Sequence, residues 1–182
     1  VMTFGWIGTV GNLRHLERIV PQLDELSKTL PLRLLVISGR SLSVTARFPV
    51  ENRRWSLETQ IADLMSIDVG LMPLDDTRVE RGKCGFKLLQ YMGLGIVGVA
   101  SAVTVNREIV NDGVDGFLVE PDGSWLQTLR RVADMRSRFG SIGAAARDKV
   151  RLRYSFAAHS RRYVGFIARA CGEDGENARS LG

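Results

Sequence analysis

A rhythm constrains this chain more than any single motif: short apolar runs alternate with amphipathic stretches of helical period. "TFGWIG" (3–8), "LRLLVISG" (32–39), "IDVGLMPL" (67–74), "IVGVAS" (96–101) and "GFLVE" (116–120) read as buried strands. "RFPV" (47–50) reads as a further strand, which Pro49 confines to an edge or an end. Between the first two runs, Leu13, Leu16, Val20, Leu23 and Leu26 recur with a helical period. Trp55 and Ser56 open a second helix, with Ser56 as its cap, Glu58 in its first turn and Leu57, Ile61 and Leu64 on its buried face. A polar loop over 75–84 precedes a helix through "FKLLQYMG", and a short helix follows near 104–110. The remainder reads as helix over 122–137, 141–153 and 156–170. Strands that alternate with helices imply right-handed crossovers and a parallel sheet covered on both faces. The expected fold is therefore α/β: a Rossmann-like parallel sheet of about six strands with a helical C-terminus. A length of 182 residues suits one domain, taken as 1–171. The aperiodic "GEDGENARSLG" (172–182) is expected to be a frayed tail.

Composition narrows the class of function. No apolar run approaches the ~20 residues of a membrane span, and no basic segment followed by a cleavage site suggests a secretion signal. Two cysteines, Cys84 and Cys171, make no disulfide framework and are expected as free thiols in a reducing cytoplasm. The formal net charge is +5, with arginines concentrated in the late helices. Such a charge suits an anionic small ligand, an anionic membrane surface or nucleic acid. Aromatic residues do not interleave with these arginines as a base-stacking platform requires, which argues against nucleic acid. Most of the arginines are expected on solvated helix faces.

In sheets of this kind ligands bind beyond the carboxyl ends of the strands. That rule selects three loops: 8–12, 73–85 and 101–106. The first, "GTVGN", joins a strand to a helix and offers amides to an anion. It is not GxGxxG, and no acidic residue ends the second strand, so an NAD site is not expected. The second holds "RGKCGFKLLQYMGLG" (81–95), which places Lys83 and Lys87 at a helix start, where the macrodipole disfavours cations. An anion seated there reverses the argument: Gly82 and Gly85 free the backbone, Cys84, Gly85 and Phe86 present amides, and the lysines add charge, as a diphosphate requires. The spacing is not that of a Walker A loop. The alternative for Lys87 is a surface lysine whose stem lies along the helix. Cys84 reads as a small filler, since the two histidines, His15 and His159, lie far from it in sequence. On the third loop Glu108 is placed to accept from a sugar or ribose hydroxyl, or is simply an exposed helix-start glutamate. "LDDT" (74–77) supplies two carboxylates without a third ligand, and no metal cluster or GxSxG elbow is visible.

Taken in order, "IDVGLMPLDDTRVERGKCGFKLLQYMGLGI", "VAS", "VTVNREIV" and "DGVDGFLV", with the opening "FGWIGT" and "GNLRHLE", resemble the donor-binding domain of family 4 (group 1) glycosyltransferases of the GT-B fold. The resemblance covers about residues 3 to 165. It implies one half of a GT-B fold, whose relatives transfer a sugar from a nucleotide diphosphate sugar, usually with retention and without a bound metal. It implies diphosphate contacts at Gly85 and Phe86, leaving-group charge from Lys83 or Lys87, and a glycine loop at Gly8 and Thr9. It places ribose hydroxyls on Gln90, where the family carries a glutamate, and a further donor contact on Glu108. The family's other glutamate falls on Gly82, with Glu80 nearby as the implied donor-sugar contact. Base contacts fall near Asn52 to Trp55. Where the family reads GLPVVASPVGVN this chain has Val97, Gly98, Ala102 and Thr104 in place of proline, valine, proline and glycine. Thr104 lies beside the expected donor site, and Gly98 is expected to weaken its strand. The resemblance further implies an N-terminal acceptor domain, a glycan or lipid-linked acceptor, and cytoplasmic work with peripheral contact at the inner membrane face. The alternative is a non-catalytic module that binds nucleotide sugars or serves in assembly.

Overall fold

The computed structural model describes residues 1–171; the expected tail at 172–182 lies outside them. Six strands form one parallel sheet in the order β3-β2-β1-β4-β5-β6. They are β1 (Met2–Gly8), β2 (Leu32–Ser38), β3 (Val50–Arg54), β4 (Val69–Met72), β5 (Val97–Ser101) and β6 (Phe117–Val119). The helices are α1 (Leu13–Ser27), α2 (Gln60–Leu64), α3 (Arg78–Arg81), α4 (Phe86–Gly93), α5 (Val105–Ile109), α6 (Trp125–Asp134), α7 (Phe139–Arg153) and α8 (Phe156–Ala170). A 3-10 turn, Val10–Asn12, leads into α1.

The two faces of the sheet follow from the two-residue period of a strand. Met2, Phe4 and Trp6 of β1, Leu34 and Val36 of β2, and Val69 and Leu71 of β4 pack with Leu16 and Leu23 of α1 and Leu129 and Val132 of α6. On the other face Ile7, Leu35 and Ile37 meet Leu64, Ile67 and Tyr91, while Met72 and Ala100 meet Leu88, Met92 and Ala146. Three glycines, Gly5, Gly70 and Gly98, alternate onto this second face. A β-carbon on them would lie 2.2 Å from Ile67, 2.5 Å from Tyr91 and 2.6 Å from Leu88. Gly98 therefore does not leave the strand unpacked: the Leu88 side chain occupies the room.

The strand order reverses between β1 and β4, the switch point where this fold opens a crevice. Those two strands pair only through Phe4–Val69 and Gly5–Gly70. Beyond that register the Tyr91 hydroxyl bridges them, accepting from the Ile7 amide at 3.2 Å and donating to the Leu71 carbonyl at 3.2 Å. A buried side chain on α4 thus satisfies the backbone groups that the parting strands release.

Three expectations change. The third strand is Val50–Arg54, displaced past Pro49, because Pro49 has no amide to donate and its carbonyl instead accepts from Leu34. Ser56 accepts the Thr59 amide at 3.2 Å, yet regular helix begins only at Gln60. Of its expected apolar face only Leu64 is buried; Leu57 and Ile61 are exposed. The 75–84 loop contains a helical turn, α3, whose cap is Thr77.

Candidate functional site

The carboxyl ends of β1 and β4 frame a cleft of about 790 Å³. Gly8, Thr9 and Asn12 form one wall, the segment Gly82–Lys87 with Gln90 the other, and Trp55, Gln60 and Gly39 one end. Of the three expected loops, the first two meet here. The third contributes Ser101, Ala102 and Val103 to a separate hollow of about 370 Å³ beside Asp75, Asp76 and Glu120. Thr104 and Glu108 are exposed and line neither.

Gly85 begins α4 with φ +70°, a left-handed conformation that favours glycine, and a β-carbon there would lie 2.4 Å from Ile109. This tight turn points the first amides of α4, including Phe86 and Lys87, away from any intrahelical acceptor and toward the helix N-terminus. Gly8 serves by close approach: its β-carbon would lie 2.5 Å from the Trp6 ring and 2.8 Å from Lys87 Nζ.

The lysines are held differently. Lys87 Nζ sits 4.8 Å from the centroid of the Trp6 ring. Burial, and then the like charge of Lys83, lower its pKa to about 8. Lys83 Nζ donates to Asn12 Oδ1 at 3.0 Å and lies 3.7 Å from Glu80 Oε1. Both line the cleft, and Lys87, held against the Trp6 ring, is not the surface lysine of the alternative reading.

Glu80 is almost wholly buried, 2% exposed, and does not line the cleft. Its carboxylate accepts from Arg14 at 3.0 Å and from the Thr77 hydroxyl. The Thr77 hydrogen bond, with Arg14 and Lys83, holds its pKa down at about 2 despite burial. Beside it lies a residue that distance in sequence had set aside: His15, on α1, lines the cleft with its side chain 1% exposed. Its Nε2 is 3.1 Å from Glu80 Oε1 and its Nδ1 3.3 Å from Asp75 Oδ2, though neither nitrogen makes an aligned hydrogen bond. Burial, and then Lys83, lower its pKa, while Asp75 and Glu80 pull the other way. The signal that could have found it is topological: once β4 lies beside β1, the start of α1 must meet the loop after β4. Trp6 and Asn12 join the cleft for the same topological reason.

The two aspartates of "LDDT" are engaged in ion pairs, Asp75 with Arg18 and Asp76 with Arg81. Among the described residues no group of three or more His, Cys, Asp or Glu is placed to hold a metal, and no helix is long and apolar enough to cross a membrane. Cys84 is an exposed free thiol on the cleft wall. Thr104 has φ +40° and ψ −115°, the one non-glycine residue with positive φ among those described.

A doubly wound sheet in 3-2-1-4-5-6 order, with glycines, helix amides and lysines at its switch point, defines a Rossmann-like α/β domain. The family model for group 1 glycosyl transferases matches residues 2–134, more than half of the chain, and the protein belongs to that family. Solved structures agree in fold. The C-terminal domain of a glycosyl transferase group 1 family protein from Francisella tularensis superposes with a TM-score of 0.65 at 15% identity, over 85% of this chain and 86% of that one. The Anabaena protein HepE, in complex with UDP-glucose, gives 0.70 at 14% identity, over 92% of this chain and 49% of that one. Sucrose-phosphate synthase from Thermosynechococcus elongatus gives 0.72 at 14% identity, over 95% and 46%. The chain thus spans about half the length of the latter two, and its fold is that of a GT-B C-terminal domain. Among curated proteins none matches it in sequence.

Proposed function

We propose that this chain is the donor-binding half of a retaining glycosyltransferase that moves a sugar from a nucleotide diphosphate sugar to a glycan or lipid-linked acceptor. The observation that carries the reading is convergence: Lys83, Lys87, the α4 amides at Phe86 and the Gly8–Thr9 loop face one cleft at the switch point. The diphosphate would lie between the two walls, with Gln90 at the ribose hydroxyls and the base toward Trp55 and Gln60. HepE, of the same fold, was solved with UDP-glucose, which supports a uracil nucleotide as the first candidate.

As the glycosidic bond breaks, negative charge develops on the leaving diphosphate. Preorganised amides and ammonium groups stabilise that charge more than the ground state, which is what accelerates the step. Lys87, fixed on Trp6, is oriented before substrate arrives. Glu80 acts from behind the wall, holding the turn that presents Lys83, rather than touching the sugar. The acceptor and its general base would come from an N-terminal acceptor domain, and the exposed apolar residues of α8, among them Phe156, Phe166 and Ile167, offer that domain a surface. The enzyme would work at the cytoplasmic side, in peripheral contact with an anionic membrane.

Calorimetric titration with UDP-, GDP- and ADP-glucose tests the reading; a folded protein that binds none at millimolar concentration would refute it. Lys83→Ala and Lys87→Ala should weaken nucleoside diphosphate by about tenfold or more each while sparing nucleoside, as lost charged hydrogen bonds imply. Equal losses for both ligands would show that the lysines do not meet the phosphates. A second reading, a non-catalytic nucleotide-sugar module, is favoured by Gln90 and Gly82 on the cleft wall where the family has carboxylates. Transfer by the chain joined to its acceptor domain, and its loss in Gln90→Ala, separates the two.

A further inference from the structure

Resting on the reading of this cleft as a nucleotide diphosphate site, we infer that His15 is a proton-linked positioning residue. It takes up a proton when a diphosphate draws Lys83 away from Asn12 and Glu80, and the imidazolium then clamps Asp75 and Glu80 together behind the lysine loop.

The geometry poses the problem. A neutral imidazole has one N–H and one lone pair. His15 places a carboxylate oxygen beside each nitrogen, at 3.1 and 3.3 Å. Whichever tautomer forms, one lone pair faces a carboxylate, and neither nitrogen makes a hydrogen bond. Only the imidazolium can donate to both. What opposes it is burial and the cations around it: Arg14 and Arg18 from α1, paired with Glu80 and Asp75, and Lys83 from the loop after α3.

Lys83 is the movable member of that set. Its side chain is 28% exposed, it lines the cleft, and its partners are a neutral amide at 3.0 Å and a carboxylate at 3.7 Å. A diphosphate offers it two anionic oxygens instead. As Lys83 turns to the ligand, Glu80 loses a cation and the cleft gains negative charge. Both changes favour a proton on His15, supplied by solvent. The new charge restores what Glu80 lost, so α3 and the lysine loop keep their place against α1. By linkage, a site that protonates on binding raises affinity as the pH falls across its titration.

Nucleotide sugars suit the test because their diphosphate is a diester with no group titrating near pH 7, so protons taken up belong to the protein. The tightest of UDP-, GDP- and ADP-glucose is titrated at pH 7 in buffers of different ionisation enthalpy. Uptake of about half a proton or more per binding event is expected. His15→Gln should abolish it but for about 0.1 proton, the most that Lys87, with its pKa of about 8, can take up at pH 7. The sequence has two histidines, His15 and His159, so imidazole NMR of the unaltered chain reads His15 directly, with His159→Gln for assignment. Should His15→Gln not fold, this measurement stands alone: His15 is expected neutral when free and protonated when saturated. Binding with His15 still neutral, or uptake unchanged in His15→Gln, overturns the inference and leaves the cleft reading intact. If none of the three ligands binds the folded protein, both fall.

Discussion

Lys87 is a lysine kept from water on the face of Trp6, and two consequences follow from its pKa of about 8. Its charge is lost as the pH rises through 8, so diphosphate affinity should fall above that point, and Lys87→Arg should remove that alkaline limb of a binding-versus-pH curve. For stability the sign is opposite. The unfolded chain, with an ordinary lysine near 10.5, binds more protons between about 8 and 10.5, so ligand-free stability contributed by this group rises with pH across that window. Glu80 behaves in the reverse sense. Held at about 2 by Thr77 and Arg14, it contributes stability that is complete above 4.5 and lost as the pH falls toward 2. Denaturant midpoints of Glu80→Gln should therefore show a shallower acid limb than those of the unaltered chain. At this scale the lysines and glycines of the GKCGFK stretch were legible, because cations at a helix start need an anion to explain them. The partners that hold those lysines, Trp6 and Asn12, were not, since nothing local in "FGWIGTVGN" marks them.

Elements show where local preference yields to packing. Thr104 occupies φ +40°, a strained conformation for a β-branched residue. Thr104→Gly should raise stability by about 1 kcal/mol, read as a rise of about 2–4 °C in Tm. Gly85→Ala should do the opposite, combining a positive φ with a β-carbon 2.4 Å from Ile109; a loss of about 1–3 kcal/mol is expected, with weakened diphosphate binding because the α4 amides move. Tyr91→Phe removes the hydroxyl that bridges Ile7 and Leu71, leaving two buried backbone groups unsatisfied, and should cost about 1–3 kcal/mol in denaturant unfolding. The element that sequence patterning misjudged is α2. Leu57, Ile61 and Leu64 have helical spacing, but only one turn of helix forms before β4, and two of the three face solvent. Periodicity reports which residues could share a face, not whether a neighbouring element covers it.

Across the molecule, among the described residues, α8 is set apart. None of the residues of α8 is buried, whereas α1 buries seven positions along one face. Helices of this length derive most of their stability from tertiary contact. Amide exchange in α8 should therefore be fast beside that of β1, β2 and α1, and the helix-breaking Val164→Pro within α8 should leave the denaturant midpoint of the rest nearly unchanged. Slow exchange throughout α8 in the isolated chain would contradict its independence from the sheet.

The sequence by itself determined the architecture and which residues make up one wall of the cleft. Strand and helix periods are local properties of the chain, and alternating them admits few topologies. The lysines, glycines and helix start between 82 and 90 are contiguous, so their grouping at one cleft wall is legible without a fold. Only the tertiary structure decided what stands opposite. Placing β4 next to β1 brings Asn12, Arg14 and His15 against Asp75, Glu80 and Lys83, sixty or more residues away. It also turns Glu80 from a candidate sugar contact into the buried anchor of that junction. Burial and charge, the two quantities that set how Lys87, Glu80 and His15 hold their protons, arise from that juxtaposition and from no stretch of sequence alone.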